Sequence, residues 1–184
     1  AAAPLDGLLA RAEIGALVLS TGAEPGAMRT ALADVERSHA AIAAQGARVT
    51  PLQRAWADAW AAEAALARGQ FGRAQSLASQ AGAALLPLTH GPRARLQLLA
   101  LAARAAISAG QGAQAEPLLR DWQALARRQG PPAVRAADLV LASHLVHLGR
   151  WGEAQQVLAS LPAQAGPQAL AAAGNLGLRA MLDQ

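Results

Sequence analysis

The sequence predicts an all-α fold: an α-solenoid of about four and a half helix-turn-helix repeats, forming a single domain over residues 1–184. Three observations predict it. Alanine occurs 52 times in 184 residues while aromatics supply only 3%. Such a chain favours helices that approach closely, and it lacks the β-branched and ring side chains of sheets. Prolines stand ahead of alanine- and leucine-rich stretches at Pro4, Pro51, Pro92, Pro132 and Pro167, spaced 47, 41, 40 and 35 residues apart. Glycines recur in parallel at Gly22, Gly69, Gly110 and Gly149, with Gln184 standing where a fifth is due.

The elements follow from these markers in order. Proline suits the first position of a helix, where its missing N–H costs nothing. The five units are therefore 4–47, 51–88, 92–130, 132–165 and an incomplete 167–184. In the first, helices are predicted over 4–20 and 25–45. In the second they cover 51–68 and 71–86, with Thr50 as N-cap. The third holds 92–109 and 112–129. There Pro117 would remove a hydrogen bond and clash with the preceding turn, so that helix is expected to start late, near Glu116, or to kink. The fourth holds 132–148 and 151–161, and the last a single helix, 167–183. Small residues at Gly15, Ala62, Ala103, Ala142 and Gly177 fall seven positions before each turn residue. The turn glycines of the complete units end the first helices, where a left-handed cap is needed. Ala27, Ala74, Ala115 and Ala154, five positions after each glycine, fit close packing of second helices on first. Phe71 and Trp151 are expected to wedge into the interhelical angle.

Leu141-Ala142, Leu145, Gly149, Trp151 and Ala154 form the clearest copy of a recurring signature. Ile14-Gly15, Gly22 and Ala27 match it in part, and Leu176-Gly177 restarts it. This signature resembles that of the tetratricopeptide repeat (TPR) family, with its Leu-Gly-like pair, large residue, turn, aromatic and alanine. The units here are longer than the family's usual repeat of about 34 residues. In length they are similar to the helical-repeat domains of large bacterial signalling and regulatory proteins. The resemblance implies a right-handed superhelix whose concave face is lined by first helices. It also implies groove positions at Trp56, Glu63, Gln97, Arg104, Ser108, Ser143 and His147.

Composition excludes several classes of function. There is no cysteine, which removes disulfides, thiolate metal sites and cysteine nucleophiles. All 16 basic residues are arginine and the net charge is only +4, mild for a nucleic-acid binder. No run of about 18 apolar residues predicts a membrane span. The chain opens Ala1-Ala2-Ala3-Pro4, as a processed mature end or an excised domain would. A cytoplasmic chain and a processed periplasmic one both fit this composition. The half repeat after Pro167 is expected to continue in a longer protein, or to offer a surface for self-association.

Motifs that carry chemistry are weak here. Gly110-x-Gly112-x-x-Ala115 imitates a dinucleotide fingerprint, but that fingerprint follows a strand, and Leu98 to Ala109 reads as helix. His144 and His147 have the spacing of two metal ligands without an evident third. Ser143, His147 and Asp138 are the residue types of a hydrolytic triad but share one predicted helix, whereas triads converge from separate elements. Trp56 and Trp60 are an i, i+4 pair that reads first as packing, since aromatics are the scarce large side chains here, with one ring as a ligand platform and the other in the core as the alternative; Trp122 reads as core. Arg93, Arg95, Arg127, Arg128 and Arg135 read as scattered solvated charges, since direct nucleic-acid readers interleave arginine with stacking rings. No catalytic residue, metal or cofactor is assigned.

The expected function is a non-enzymatic scaffold that binds a protein partner, as a peptide or a helix, in the concave groove. Arg104 would pair a partner's carboxylate, Gln97, Ser143 and His147 would supply hydrogen bonds, and Trp56 an apolar platform. The alternative is a sensory module that holds a small ligand in a closed pocket and controls an attached output domain.

Overall fold

A computed structural model describes residues 4–21, 24–88 and 91–159. Gly22, Pro167, Leu176, Gly177, Gln184 and the predicted helix 167–183 lie outside the described residues. Those described form eight α-helices and no strand: α1 (Leu5–Thr21), α2 (Pro25–Ala44), α3 (Pro51–Ala67), α4 (Phe71–Leu85), α5 (Pro92–Ser108), α6 (Gly112–Ala126), α7 (Pro131–His147) and α8 (Trp151–Ala159). A 3₁₀ turn at Gly46–Arg48 joins α2 to α3. The chain divides into two compact units, Ala1–Gly110 and Gln111–Gln184.

Local chemistry explains the helix ends. Pro51 and Pro92 open α3 and α5, and Pro131, not Pro132, opens α7. Ahead of Pro51, the Thr50 hydroxyl accepts the Gln53 N–H at 3.2 Å while Gln53 Oε1 accepts the Thr50 N–H at 2.9 Å. This reciprocal capping box satisfies two donors that a helix start leaves open. Gly69, Gly110 and Gly149 have φ of 71, 74 and 73°, as the turn register requires. After α7, the Arg150 N–H bonds the Leu145 carbonyl and the Gly149 N–H bonds the Val146 carbonyl, both at 2.9 Å. Gln70 and Gly69 repeat the pattern after α3, so both ends are Schellman caps.

Within the first unit, packing is consecutive: α1 lies on α2, both lie on α3, α3 pairs with α4, and α4 with α5. Alanines dominate the contacts. Ala55, Ala59, Ala62, Ala65, Ala74, Ala78 and Ala81 form one core with Leu85, Leu98, Leu101 and Ala105. Between α1 and α2 the approach is closer still, because a Cβ on Gly15 would stand 2.7 Å from Val35 Cγ2. In the second unit α7 packs on α6 and on α8, with Ala115, Ala142 and Ala154 all buried.

Three expectations are corrected. Phe71 and Trp151 do not fill the interhelical angle; they are 44% and 50% exposed. Each is the first residue of its helix, and helical side chains tilt toward the N-terminus, so the ring projects past the helix end. The alanine three residues later makes the contact instead. The sixth helix starts at Gly112, not near Glu116, and runs through Pro117. Proline removes only one N–H there, in the second turn of the helix and on an exposed face. Ala27 is exposed, unlike Ala74, Ala115 and Ala154 at the matching positions.

Candidate functional site

Two surfaces of the first unit carry the chemistry. The first runs across α3 and α5. Trp56 and Trp60, one turn apart, stack with ring centroids 6.0 Å apart and planes inclined by 27°. Trp60 rests on the core of Leu19, Ala31, Val35 and Ala64, and Trp56 on the alanine-rich core shared with α4 and α5. Both rings are half-buried, each with one part free. One turn beyond Trp60, Glu63 forms an ion pair with Arg104 of α5, which ties the two first helices together. Burial pushes the Glu63 carboxyl above its ordinary range, against the pull of the Arg104 guanidinium. Gln97 and Ser108 are exposed on α5 and share a helix face with Arg104. Five of the seven residues assigned to the groove thus share the α3 and α5 surface. The carboxylate that Arg104 holds is the chain's own.

The second surface is an open trough of about 560 Å³ between α1 and α2, lined mainly by small and apolar side chains. Ile14 and Val18 form its α1 wall, Ala27 and Ala31 its α2 wall, and Arg11 and Asp34 stand on its rim. Ile14 is 63% exposed and the neighbouring Leu17 49%. Sequence reading missed this trough. Its signal was present, because Ile14 and Leu17 occupy the register positions that α3 fills with Ala61 and Ala64.

In the second unit Ser143 is only 4% exposed, so it lines no open groove. His147 is exposed and its Nδ1 donates to the Ser143 carbonyl at 2.7 Å, which fixes that ring nitrogen as the protonated one. Asp138 is buried and accepts from Gln123 Nε2 at 2.6 Å, not from His147. The residues of the would-be triad therefore do not converge. His144 is buried against Gly112, and that burial lowers its pKa. Among the described residues no three histidine, aspartate or glutamate side chains are grouped to hold a metal ion. Gly110 follows a helix rather than a strand, and the repeat turn accounts for its conformation.

The remaining charges are mostly paired or scattered. Arg150 grips both oxygens of Glu153 at 2.6 Å and also bonds Glu116 at 2.6 Å, lowering the pKa of both carboxyls. Arg95 donates to the Leu86 carbonyl at 2.9 Å. Arg93, Arg127 and Arg128 are exposed and Arg135 is half-buried, with no stacked ring among them. Between α2 and α3, His39 Nε2 lies 2.8 Å from Asp58 Oδ1, a pairing that sequence reading did not anticipate. Among the described residues no helix is long and apolar enough to cross a membrane. Compared with family models, curated proteins and solved structures, the chain matches none.

Proposed function

We propose that the chain is a non-enzymatic interaction scaffold, a TPR-like α-solenoid that binds a peptide or a partner helix on the face of its first helices. The observation that carries the reading is the surface of α3 and α5. There two half-exposed tryptophans, an ion-paired arginine and two exposed polar residues stand side by side on rigid helices. Trp56 and Trp60 supply apolar platform area at small entropic cost. Gln97 and Ser108 supply hydrogen bonds. Arg104 is held in place by Glu63, so its remaining N–H donors are pre-oriented for a partner's carbonyl or carboxylate. In a solenoid these helices form the concave wall. The alternative, a small-ligand module that controls an attached output domain, calls for an enclosed pocket; the trough between α1 and α2 is open, which favours a helix over a small molecule.

The test is a selection of helical and extended peptides displayed on phage against the folded chain. Enriched peptides are then titrated onto wild type, Trp56→Ala, Gln97→Ala and Arg104→Ala. The reading predicts weaker binding to all three variants, with Gln97→Ala, on an exposed position, at unchanged melting temperature and the other two titrated where circular dichroism shows them folded. Equal affinity for all four proteins would overturn this face as the site.

A further inference from the structure

Within the unit Ala1–Gly110 the first helices lie side by side and nearly level. Glu63 of α3 and Arg104 of α5 are 41 residues apart, the period that carries Pro51 onto Pro92, and they form an ion pair. Equivalent register positions on α3 and α5 are thus lateral neighbours. From α1 to α3 the period is 47. Ala57 shares a core with Leu8 and Ala64 with Leu19, each within two residues of that offset. The middle helix presents an apolar ridge. Leu52, Trp56 and Trp60 follow one another at i, i+4 and i+8, so they share one face of α3. Leu52 is 46% exposed, and both rings are half-buried.

The two flanks of this ridge carry opposite charges. Glu13 of α1 holds the register position of Trp60, and Arg93 of α5 that of Leu52. On their own helices Glu13 shares a face with half-buried Leu9, and Arg93 with Gln97, Arg104 and Ser108. Glu13 and Arg93 are exposed, and neither enters an ion pair among the described residues. An exposed apolar patch with a charged rim marks an interaction surface, and rim charges of opposite sign set a partner's orientation. Gln97 and Ser108 add exposed donors and acceptors beside the ridge. A helix satisfies its own backbone N–H and C=O groups, whereas an extended segment leaves them open, so these side chains suit an extended one. Glu13 and Arg93 stand at opposite ends of the ridge. Eight helical residues separate their levels, about 12 Å along the axes. Two helix spacings of about 10 Å each separate them across the face. The diagonal is about 23 Å, or about seven residues of extended chain.

We infer that the partner of the first-helix face is an extended segment with a basic and an acidic residue about seven positions apart and a large apolar one between them. The segment crosses the ridge obliquely. Its basic side chain pairs with Glu13, its apolar side chain lies on Trp56, and its acidic side chain pairs with Arg93. Arg104 stays tied to Glu63 and serves the segment's backbone carbonyls. The inference rests on the scaffold reading and names the chemistry of the partner for that face.

The probe is a random library of linear peptides displayed on phage and selected on the full chain. Enriched peptides should carry one basic and one acidic residue on opposite sides of a large apolar one, in either chain direction. Fluorescence anisotropy then measures binding of the best peptide, labelled, and of two charge-exchanged forms. Arginine in place of its acidic residue should weaken binding about fivefold, the size of an exchange from attraction to repulsion at an exposed pair, and Arg93→Glu should restore it. Glutamate in place of its basic residue should weaken binding about as much, and Glu13→Arg should restore it. Crossing the pairs, so that Glu13→Arg meets the first peptide or Arg93→Glu the second, should restore nothing. Both substitutions fall on exposed positions and should leave the melting curve unmoved. Should either variant fail to fold, Glu13→Gln and Arg93→Gln replace them, each abolishing sensitivity to the corresponding peptide charge. Enriched peptides with charges of one sign, or charge exchanges that neither variant restores, overturn the inference. Peptides that lose affinity for Trp56→Ala yet ignore Glu13 and Arg93 overturn the charge pattern and leave the scaffold reading standing. A stapled helical peptide that binds through Trp56 where linear peptides do not overturns the extended partner and likewise leaves the scaffold. A selection that enriches no peptide, linear or helical, overturns both.

Discussion

Replacing Gly15 by alanine tests how closely α1 and α2 approach. A Cβ there would stand 2.7 Å from Val35 Cγ2 and 3.1 Å from the Ala31 carbonyl oxygen. Carbon atoms prefer separations of about 3.5–4.0 Å, so the helices would have to move apart by roughly 1 Å. Val35 cannot turn aside cheaply, because a valine in a helix is held to one χ1 well. The carbonyl is backbone and moves only with α2. Overpacking of this kind costs about 1–3 kcal/mol. The new alanine recovers up to about 1 kcal/mol of helix propensity. The net expectation is a loss of roughly 1–2 kcal/mol, or about 2–8 °C in melting midpoint for a chain of this size.

Gly82 in α4 supplies the control. It is buried inside a helix as well, yet an added Cβ would meet only Leu86 Cδ1, at an ordinary 3.8 Å. Gly82→Ala should therefore stabilise by about 0.5–1 kcal/mol through propensity and the loss of backbone freedom in the unfolded chain. Urea unfolding followed by circular dichroism reads both signs. Adding Val35→Ala to Gly15→Ala removes the closest clash, so the double mutant should lose less than the sum of the singles, with a coupling of about 1 kcal/mol. If Gly15→Ala stabilised the chain as Gly82→Ala does, or the coupling were zero, α1 and α2 would not be in close contact at Gly15.

Four further outcomes follow. Gly149→Val should cost more than about 1 kcal/mol, since a β-branched residue is strained at a φ of 73°; an unchanged melting midpoint refutes the cap. Ala154→Leu should cost about 1–3 kcal/mol by overpacking the contact of α8 with α7, and a neutral result would show that the alanine register does not set that contact. Thr50→Ala should lose about 1 kcal/mol by leaving the α3 start uncapped, while a shift within error in urea unfolding would show the capping box to be idle. The fourth concerns pH. Folded His144 has a pKa below 6.5, so between the two values the unfolded chain binds more protons, and wild type should lose stability as pH falls from 6.5 through the lowered value. His144→Leu should remove that slope. Glu63 gives the opposite sign. Its folded pKa lies above 4.5, so its contribution to stability declines as pH rises through that window, and Glu63→Gln should remove the decline. Melting curves across pH with unchanged slopes in either variant would refute the corresponding shift.

Much of the first unit was legible because its rules are local. A proline at a helix start, a glycine with positive φ at its end and an alanine where helices meet are each decided within a few residues. Thr50, Gly69 and Ala74 therefore read correctly from sequence alone. Phe71 and Trp151 did not, because a ring three residues before a buried alanine looks like a packing residue until the helix start is known. One residue decides whether it points into the core or past the helix end. Pro117 misled for a related reason: the carbonyl that loses its partner belongs to Ala113, which is exposed on α6, where water can serve it. The pairing of Arg104 with Glu63 was not legible either. The two residues are 41 apart, and only the lateral approach of α3 and α5 brings them together.

That pairing also limits what the α3 and α5 face can do. Glu63 is drawn into a part-buried position where its charge is disfavoured, and Arg104 is the charge that offsets this. A partner's carboxylate that took Arg104 outright would leave Glu63 ionised and buried, a costly arrangement. Such a partner therefore either shares Arg104, using the N–H donors that Glu63 leaves open, or binds with Glu63 protonated. Sharing costs neither charge and keeps α3 tied to α5. Neutral acceptors, such as the carbonyls at the end of a helix, suit Arg104 on this face better than carboxylates do.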